Sequence, residues 1–584
     1  MKKLFATSLQ ATSKQWRQNG LRRSLATAVT PPALSATLPD PVASMGVAPS
    51  LYNNYTSGRW LYNESQQMAL RTTPFHVRAL FARISWLFGA DVVHVDKREG
   101  LFNKSFIVTL SSGMSLVARV KNSIAGPAHY TTASEVATMD YCRRVLGMPV
   151  PQVYDWSSRA DENGMGCEYI LMEKTDGVQL STVWRGLQPS AKRELVNSLV
   201  DTEKRLLATP FSHHGGLYYK ADVPAHLQAS TLYGDPEMEA RRSEVAEFCI
   251  GPTPVRAYYE NERTTLDIDR GPWLTCEDYL ASIATREEAW IAHHAKPNAH
   301  DDPFSALGST STAAEHLAAL TQYRQLVPRL APPRTAEGKA RASVLWHPDL
   351  NTGNVFVSTS DDAQPRVSGL IDWQGCWAGP AYLQLALPAF LEHAGMSSGK
   401  HQHLPVVPPG LGEMSEQSQY VLMSDHRARL LHRLYELRQL LPYRVGEHDV
   451  RTIPVRIAGN TWRNGVLPLK LALRNAVEAL PEEPSVHQTT ASDVEDAEAP
   501  VVSAGGENVE DMLAERERYV DGHVFSEYVR SSFSICLHGW TDAEAYEQKK
   551  QDLDDVERML DPEVVEGMAH ACALPSWWPS HDSI

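Results

Sequence analysis

Apolar and polar positions alternate in short runs over the first third of the chain, and turns rich in glycine, serine or proline separate these runs. Alternation with a period of two predicts strands. From Leu180 onward, apolar residues recur at helical spacing between long polar connections. The pattern predicts an α+β fold of two lobes, with a small antiparallel sheet and a helix first and a larger, mainly helical lobe second. The strands predicted for the small lobe are Ile107–Leu110, Ser115–Lys121, Pro149–Tyr154 and Tyr169–Glu173.

Two short apolar runs in the second lobe, Val355–Val357 and Val367–Ile371, flank a stretch of mostly polar residues. They predict a β-hairpin, and the open end of a hairpin brings the residue before the first strand next to the residue after the second. Those residues are Asn354 and Asp372. An amide oxygen and a carboxylate are hard ligands, and Mg²⁺ takes one or two protein carboxylates while it keeps several waters. We therefore expect Asn354 and Asp372 to bind a magnesium ion.

Asp349 lies in the loop that leads into this hairpin. A carboxylate there can accept the proton of an attacking hydroxyl group or orient that hydroxyl, which makes Asp349 the candidate catalytic residue. With His347 these residues form the pattern H-x-D-x-x-x-x-N followed by an aspartate between apolar residues, which is the pattern of kinase-like phosphotransferases. An ordinary polar hairpin is the alternative, but the complete set at matching intervals favours a kinase-type site.

A kinase-type site also needs a small lobe that binds phosphate, and the segment Glu99–Phe106 is a candidate for its phosphate loop. Gly100 lets the backbone approach a phosphate closely, and the side chains of Asn103 and Ser105 can donate hydrogen bonds. By itself this signal is weak, because a short glycine turn in a hairpin is common.

The strand Ser115–Lys121 is the expected site of a cation that reaches the nucleotide phosphates and pairs with an acid on the next helix. Arg119 stands at the position where lysine is expected. Its expected partner is Glu135, on a helix predicted to begin with Ser134 as its cap, although a capping or surface glutamate is the alternative. A guanidinium also binds phosphate, but its planar fork is longer. Lys121 is predicted on the same strand face and is an alternative phosphate-binding cation.

Residues 1–39 carry six basic residues and no acidic one. On a helical wheel Phe5, Leu9 and Trp16 fall on one face, and basic residues fall on another. A basic, amphipathic, serine-rich and threonine-rich start is typical of a mitochondrial transit peptide, and a disordered basic tail is the alternative. We therefore predict residence in mitochondria, in the matrix.

The remaining domain boundaries follow from changes in composition. Residues 475–515 contain no lysine or arginine while acidic residues accumulate, which predicts an acidic disordered insertion over 481–510. We predict an N-terminal extension over 40–75, the small lobe over 76–178, the large lobe over 179–480, and C-terminal helices over 511–584 that pack on the large lobe.

The overall charge and the cysteines narrow the function classes. The chain of 584 residues has a net charge of −15, which argues against binding to nucleic acids or anionic membranes. No apolar run approaches the roughly 20 residues of a membrane span. The seven cysteines include no C-x-x-C pair, so neither a disulfide framework nor a zinc site is indicated.

Four segments resemble a known family: Tyr55–Glu64, Thr132–Thr138, Pro149–Pro151 and Leu370–Gly375. The chain resembles the aminoglycoside phosphotransferase/choline kinase-like family, and more narrowly the fungal altered inheritance of mitochondria protein 9 group. The resemblance implies a two-lobed protein-kinase-like fold, use of ATP and Mg²⁺, Asp349 as catalytic base, and Asn354 and Asp372 as metal ligands. It also implies mitochondrial residence.

Two function classes remain open. The first is a small-molecule kinase that transfers a γ-phosphate to a hydroxyl group of an unknown acceptor. The absence of a long activation segment after Asp372 disfavours an ordinary protein kinase. The second is a nucleotide-binding pseudokinase or scaffold involved in mitochondrial maintenance, which the arginine at position 119 allows.

Overall fold

The computed structural model describes residues 49–240, 242–296, 311–334, 339–358, 365–393, 404–407, 409–440, 443, 448–480 and 539–559. The predicted transit peptide (1–39) and the predicted acidic insertion (481–510) lie outside the described residues, as do the stretches 511–538 and 560–584 of the predicted C-terminal helices.

An N-terminal extension precedes the small lobe. It consists of helix α1 (Pro49–Asn53), strand β1 (Gly58–Trp60) and helix α2 (Glu64–Arg71). Trp60 is fully buried, and the guanidinium of Arg71 lies 4.2 Å from the centre of its ring. The extension is therefore packed structure and not a simple linker.

The small lobe is a five-stranded antiparallel sheet in the order β2-β3-β4-β6-β5. Helix α3 packs on one face of this sheet, and helix α4, extended by a π-helical turn at Tyr141–Val145, packs on the other. The elements are α3 (Val77–Phe88), β2 (Val92–Glu99), β3 (Asn103–Leu110), β4 (Ser115–Lys121), α4 (Tyr130–Asp140), β5 (Val153–Ser157) and β6 (Tyr169–Glu173).

Helix α4 starts earlier than the sequence pattern predicts. It begins at Tyr130, after His129, whose backbone has a left-handed φ of 66°. Ser134 therefore lies inside the helix and does not cap it. The earlier start does not change the position of Glu135, whose side chain still reaches the sheet.

The large lobe is mainly helical, with short strands near its junction with the small lobe. Its elements are β7 (Val178–Gln179), α5 (Leu180–Val183), α6 (Pro189–Leu207), β8 (Gly216–Tyr219), α7 (Pro236–Ala240), β9 (Phe248–Gly251), α8 (Cys276–His294), α9 (Ala313–Leu330), β10 (Ser343–Leu345), β11 (Val355–Val357), β12 (Val367–Leu370), β13 (Ala378–Pro380), α10 (Ala381–Gln384), α11 (Glu416–Tyr435), α12 (His448–Ala458), α13 (Thr461–Asn464) and α14 (Leu467–Ala479).

Two long helices of the large lobe start at capping boxes. Thr275 and Asp278 exchange hydrogen bonds of 3.1 Å between side chain and backbone at the start of α8. Thr312 and Glu315 do the same at the start of α9. Such boxes satisfy backbone N–H groups that have no partner within the helix. The apolar faces of α8, α9, α12 and α14 then form one buried cluster.

The end of the described chain returns to the N-terminal extension. Strand β14 (Trp540–Asp542) pairs antiparallel with β1, so that Thr541 lies opposite Arg59, and helix α15 (Tyr546–Met559) follows. The prediction that residues 511–584 pack on the large lobe concerns mostly residues outside the described ranges. In the described part, 539–559, strand β14 pairs with the extension beside the small lobe.

Within the described ranges, no helix is both long and apolar enough to cross a bilayer.

Candidate active site

The predicted hairpin forms from β11 and β12. Val355 lies opposite Leu370, and the backbone N–H of Ile371 donates to the carbonyl of Asn354 at 3.0 Å. This pairing puts Asn354 and the next residue after Ile371, Asp372, at the open end of the hairpin. The structure therefore brings the two predicted metal ligands to the same edge.

His347 fixes the loop that carries Asp349. Its Nε2 lies 2.9 Å from the carbonyl oxygen of Ile371, and its Nδ1 accepts the backbone N–H of Asp349 at 3.3 Å. The imidazole is 4% exposed, and its burial lowers the pKa of His347. A neutral ring with its proton on Nε2 satisfies both contacts. His347 thus ties the loop before the hairpin to Ile371, which lies between the end of β12 and Asp372.

Asn354 is oriented by Asp349. Its Nδ2 donates to the backbone carbonyl of Asp349 at 2.8 Å and lies 3.5 Å from the carboxylate oxygen Oδ2. Because the amide nitrogen faces Asp349, the amide oxygen is turned toward the other side, where a cation can bind. The carboxylate of Asp349 is exposed and can meet an acceptor hydroxyl.

Asp372 adopts a backbone conformation that is unusual for a residue with a side chain. Its φ is +65°, in the left-handed region, which aspartate tolerates better than most residues. The side chain is 38% exposed. Residues held in such conformations often lie at functional sites, where the surrounding structure imposes them.

Arg119 joins the two lobes through this aspartate. Its Nη2 contacts the carboxylate of Glu135 on α4, and its Nη1 donates to Oδ1 of Asp372 at 3.1 Å. Burial alone would lower the pKa of Arg119, but the carboxylates of Glu135 and Asp372 outweigh this effect and raise the pKa. The guanidinium is therefore a fixed positive charge next to the predicted metal site.

The sheet register places the phosphate-loop residues beside Arg119. Ser105 pairs with Arg119, and Asn103 pairs with Lys121, so all four side chains share the cleft face of the sheet. The backbone N–H of Gly100 donates to the carbonyl of Asn103 at 3.0 Å and closes the turn. A Cβ atom added at Gly100 would meet nothing within 4 Å, so the space directly beside the turn is open.

Lys121 lies on the cleft face but is fully engaged. Its Nζ pairs with Glu168 at 3.0 Å and donates to the carbonyls of Gly126 and Pro127 at 3.2 and 3.3 Å. Three partners use the three donors of the ammonium group. The geometry therefore favours Arg119 as the cation that meets the nucleotide.

Gln374 is a residue at this site that the sequence interpretation missed. It follows Asp372 by two positions, accepts a hydrogen bond from Nδ2 of Asn103 at 2.5 Å, and donates to the carbonyl of Ala125 at 2.9 Å. It thus crosses from the large lobe to the small lobe. The cavity that Asn103, Arg119 and Gln374 help to line has a volume of about 10 Å³, room for roughly one water.

The donor set at the hairpin suits Mg²⁺. Within the described part of the chain no group of three or more histidine, cysteine, aspartate or glutamate side chains is arranged to hold a metal ion. One carboxylate and one amide oxygen are nevertheless what Mg²⁺ takes from a protein when phosphate oxygens and waters complete its octahedron. Asp372 and Asn354 fit this ion.

The two-lobed fold and the hairpin at its cleft are kinase-like, and comparison with known proteins agrees. The phosphotransferase enzyme family (APH) matches residues 98–390, half of the chain, and the chain belongs to this family. The predicted family and the predicted two-lobed kinase-like fold are thus confirmed.

Individual relatives carry two kinds of name. A subtelomeric hrmA-associated cluster protein of Aspergillus fumigatus is 30% identical over 492 residues, which cover 77% of this chain and 89% of the relative. Altered inheritance of mitochondria protein 9 of Yarrowia lipolytica is 25% identical over 375 residues, which cover 60% of this chain and 62% of the relative.

Two solved structures are also similar. The GDP and kanamycin complex of APH(2″)-IIIa is 12% identical with a TM-score of 0.28, covering 68% of this chain and 97% of that chain. The amicoumacin kinase hAmiN in complex with AMP-PNP, Ca²⁺ and Ami is 12% identical with a TM-score of 0.27, covering 74% of this chain and 88% of that chain.

Proposed function

We propose that this protein is a mitochondrial phosphotransferase that uses MgATP to phosphorylate a hydroxyl group of a small molecule. The observation that carries the proposal is the convergence of Asp349, Asn354 and Asp372 at one end of a hairpin, opposite Arg119. The mitochondrial name of the Yarrowia relative and the basic N-terminal segment support the location.

In the proposed reaction, the acceptor oxygen forms a bond to the γ-phosphorus while the bond to the β–γ bridging oxygen breaks and ADP leaves. Asp349 orients the acceptor hydroxyl and takes its proton. Asn354 holds Asp349 through the hydrogen bond to its carbonyl, and Arg119 provides positive charge for the phosphates. A magnesium ion held by Asn354 and Asp372 would neutralise negative charge on the phosphates.

One observation favours the second candidate, a scaffold with little transfer activity. The cleft contains two cross-lobe contacts, from Arg119 to Asp372 and from Gln374 to Asn103, at the place where the nucleotide phosphates would lie. Binding of MgATP must therefore rearrange these side chains. The scaffold hypothesis holds that this rearrangement does not lead to transfer.

Release of ADP separates the two candidates. The full-length protein is incubated with MgATP and pools of metabolites that carry hydroxyl groups, and ADP is measured against a sample without acceptor. The kinase proposal expects acceptor-dependent ADP that Asp349→Asn reduces by about 10²-fold or more, since proton transfer to a positioned base contributes about that much. Exposed Asp201→Asn is the matched control and retains full activity. Equal ADP release by the wild type and Asp349→Asn would contradict the proposed role of Asp349.

A further inference from the structure

The N-terminal extension contacts the first residue of the phosphate loop. Glu99 has a carboxylate that is 1% exposed. Its Oε2 accepts hydrogen bonds from the backbone N–H of Thr56 at 2.7 Å, from the hydroxyl of Thr56 at 2.8 Å and from the hydroxyl of Ser57 at 3.3 Å. Hydrogen bonds to a charged acceptor are the strong ones, so Glu99 is held firmly from outside the kinase-like lobe.

Two lysines, Lys97 just before the phosphate loop and Lys104 within it, also bind the extension. Lys97 pairs with Glu99 at 2.8 Å and donates to the carbonyls of Leu51 and Asn54 at 2.6 and 2.7 Å. Lys104 is fully buried on the face of β3 opposite the cleft and donates to the carbonyl of Arg71. Both strands that carry the phosphate loop are thus tied to the extension.

The extension is held in turn by the returning end of the chain. In addition to the pairing of β1 with β14, Nε1 of Trp540 donates to the hydroxyl of Tyr55 at 2.9 Å. The guanidinium of Arg59 lies 3.4 Å from the centre of the Tyr546 ring and pairs with Glu64 at 2.7 Å. The family match begins at residue 98, so both of these segments lie outside it.

We propose that these two segments, residues 49–73 and 539–559, form a chain-end clamp that positions the phosphate loop for the nucleotide. Thr56 and Glu99 are its positioning residues. A loop that is already ordered loses less conformational entropy when it closes on a phosphate, and this raises affinity without adding a contact to the ligand. The inference rests on the proposed function, because it concerns the nucleotide site of that reaction.

The test compares two variants. Thr56→Val removes the hydroxyl that donates a hydrogen bond to Glu99, whereas Thr56→Ser keeps this hydroxyl. Hydrogen–deuterium exchange of residues 99–106 and the Kd for MgADP are measured on the full-length protein. Thr56→Val is expected to speed exchange in this segment and to weaken MgADP binding about fivefold, while Thr56→Ser restores both. Thr312→Val, which removes a helix cap far from the loop, is the matched control. It lowers the melting temperature but changes neither exchange in residues 99–106 nor the Kd.

A second variant tests the contribution of the C-terminal segment. Thr541→Pro removes a backbone donor from β14, and Thr541→Val keeps it. Only the proline variant is expected to speed exchange at residues 99–106 and to raise the Kd.

Unchanged exchange in both Thr56→Val and Thr541→Pro would overturn the clamp. Faster exchange with an unchanged Kd would also overturn it as a positioning device. A wild-type protein that binds no MgADP would contradict the proposed function, while the exchange data would still decide whether the clamp orders the loop.

Discussion

Nη1 of Arg119 lies 3.1 Å from Oδ1 of Asp372, and the same guanidinium contacts Glu135. One side chain of the small lobe therefore holds both its own helix α4 and the candidate metal ligand of the large lobe. A lysine ammonium is a compact charge and cannot present the planar fork that allows arginine to meet two carboxylates in this way. The arginine at this position thus links the two lobes across the cleft, and the nucleotide phosphates would displace its contact with Asp372.

Removing this arginine is expected to destabilise the fold through Glu135. In Arg119→Met the carboxylate of Glu135 stays buried without its partner, and breaking a buried ion pair in this way costs about 3–5 kcal/mol. The double variant Arg119→Met/Glu135→Leu replaces both charges by apolar groups and is expected to recover most of that loss. Urea unfolding at pH 7 measures both variants. A double variant no more stable than the single one would show that the unpaired charge is not the cause.

Glu203 makes the stability fall as the pH rises. Its carboxyl group, on α6 beside the hydroxyl of Tyr435, is fully buried, and burial raises the pKa to about 8. The unfolded chain releases this proton near pH 4.5, whereas the folded chain keeps it, so stability decreases between pH 4.5 and 8. Glu203→Gln is expected to stabilise the protein by about 3 kcal/mol at pH 7 and by little at pH 4.5.

Chemical denaturation of Glu203→Gln at the two pH values checks this expectation. Exposed Glu194→Gln on the same helix is the control and should not change the pH dependence. If Glu203→Gln gives the same change in stability at pH 4.5 and pH 7, the folded-state proton is not on Glu203.

His214 has the opposite pH dependence. Burial lowers the pKa of this imidazole to about 3, so the folded protein keeps it neutral while the unfolded chain takes up a proton below about pH 6.5. Stability is therefore lost as the pH falls, by about 2 kcal/mol from this group between pH 7 and pH 5. His214→Gln should remove that part of the acid sensitivity in urea unfolding. His293→Gln, at an exposed helix end, is the control, and equal acid sensitivity of both variants would contradict the assignment to His214.

The parts of the site that the sequence predicts are those that depend on local geometry. Asn354 and Asp372 come together because the residue before the first strand of a hairpin lies next to the residue after the second strand. Gln374 and Asn103 are 271 positions apart, and nothing in the pattern around either residue indicates their contact. The pairing of β1 with β14 was missed for the same reason, since strands of three residues carry too little periodicity to predict a distant partner. Lys121 shows a further limit of prediction from the sequence. Strand alternation predicts which face of the sheet carries this side chain, but it does not predict the partners that bind its ammonium group.

Calorimetric titration with ADP, in the presence and absence of Mg²⁺, tests the account most directly. Asp372→Asn keeps the shape of the side chain and tolerates a positive φ, but it loses the charge that holds the metal. The wild type is expected to bind ADP more tightly with Mg²⁺ than without it, and Asp372→Asn is expected to lose this difference. Asp349→Asn should retain it, because Asp349 acts on the acceptor. A magnesium dependence that is equal in the wild type and in Asp372→Asn, or absent from both, would contradict the assignment of this hairpin as the phosphotransfer site.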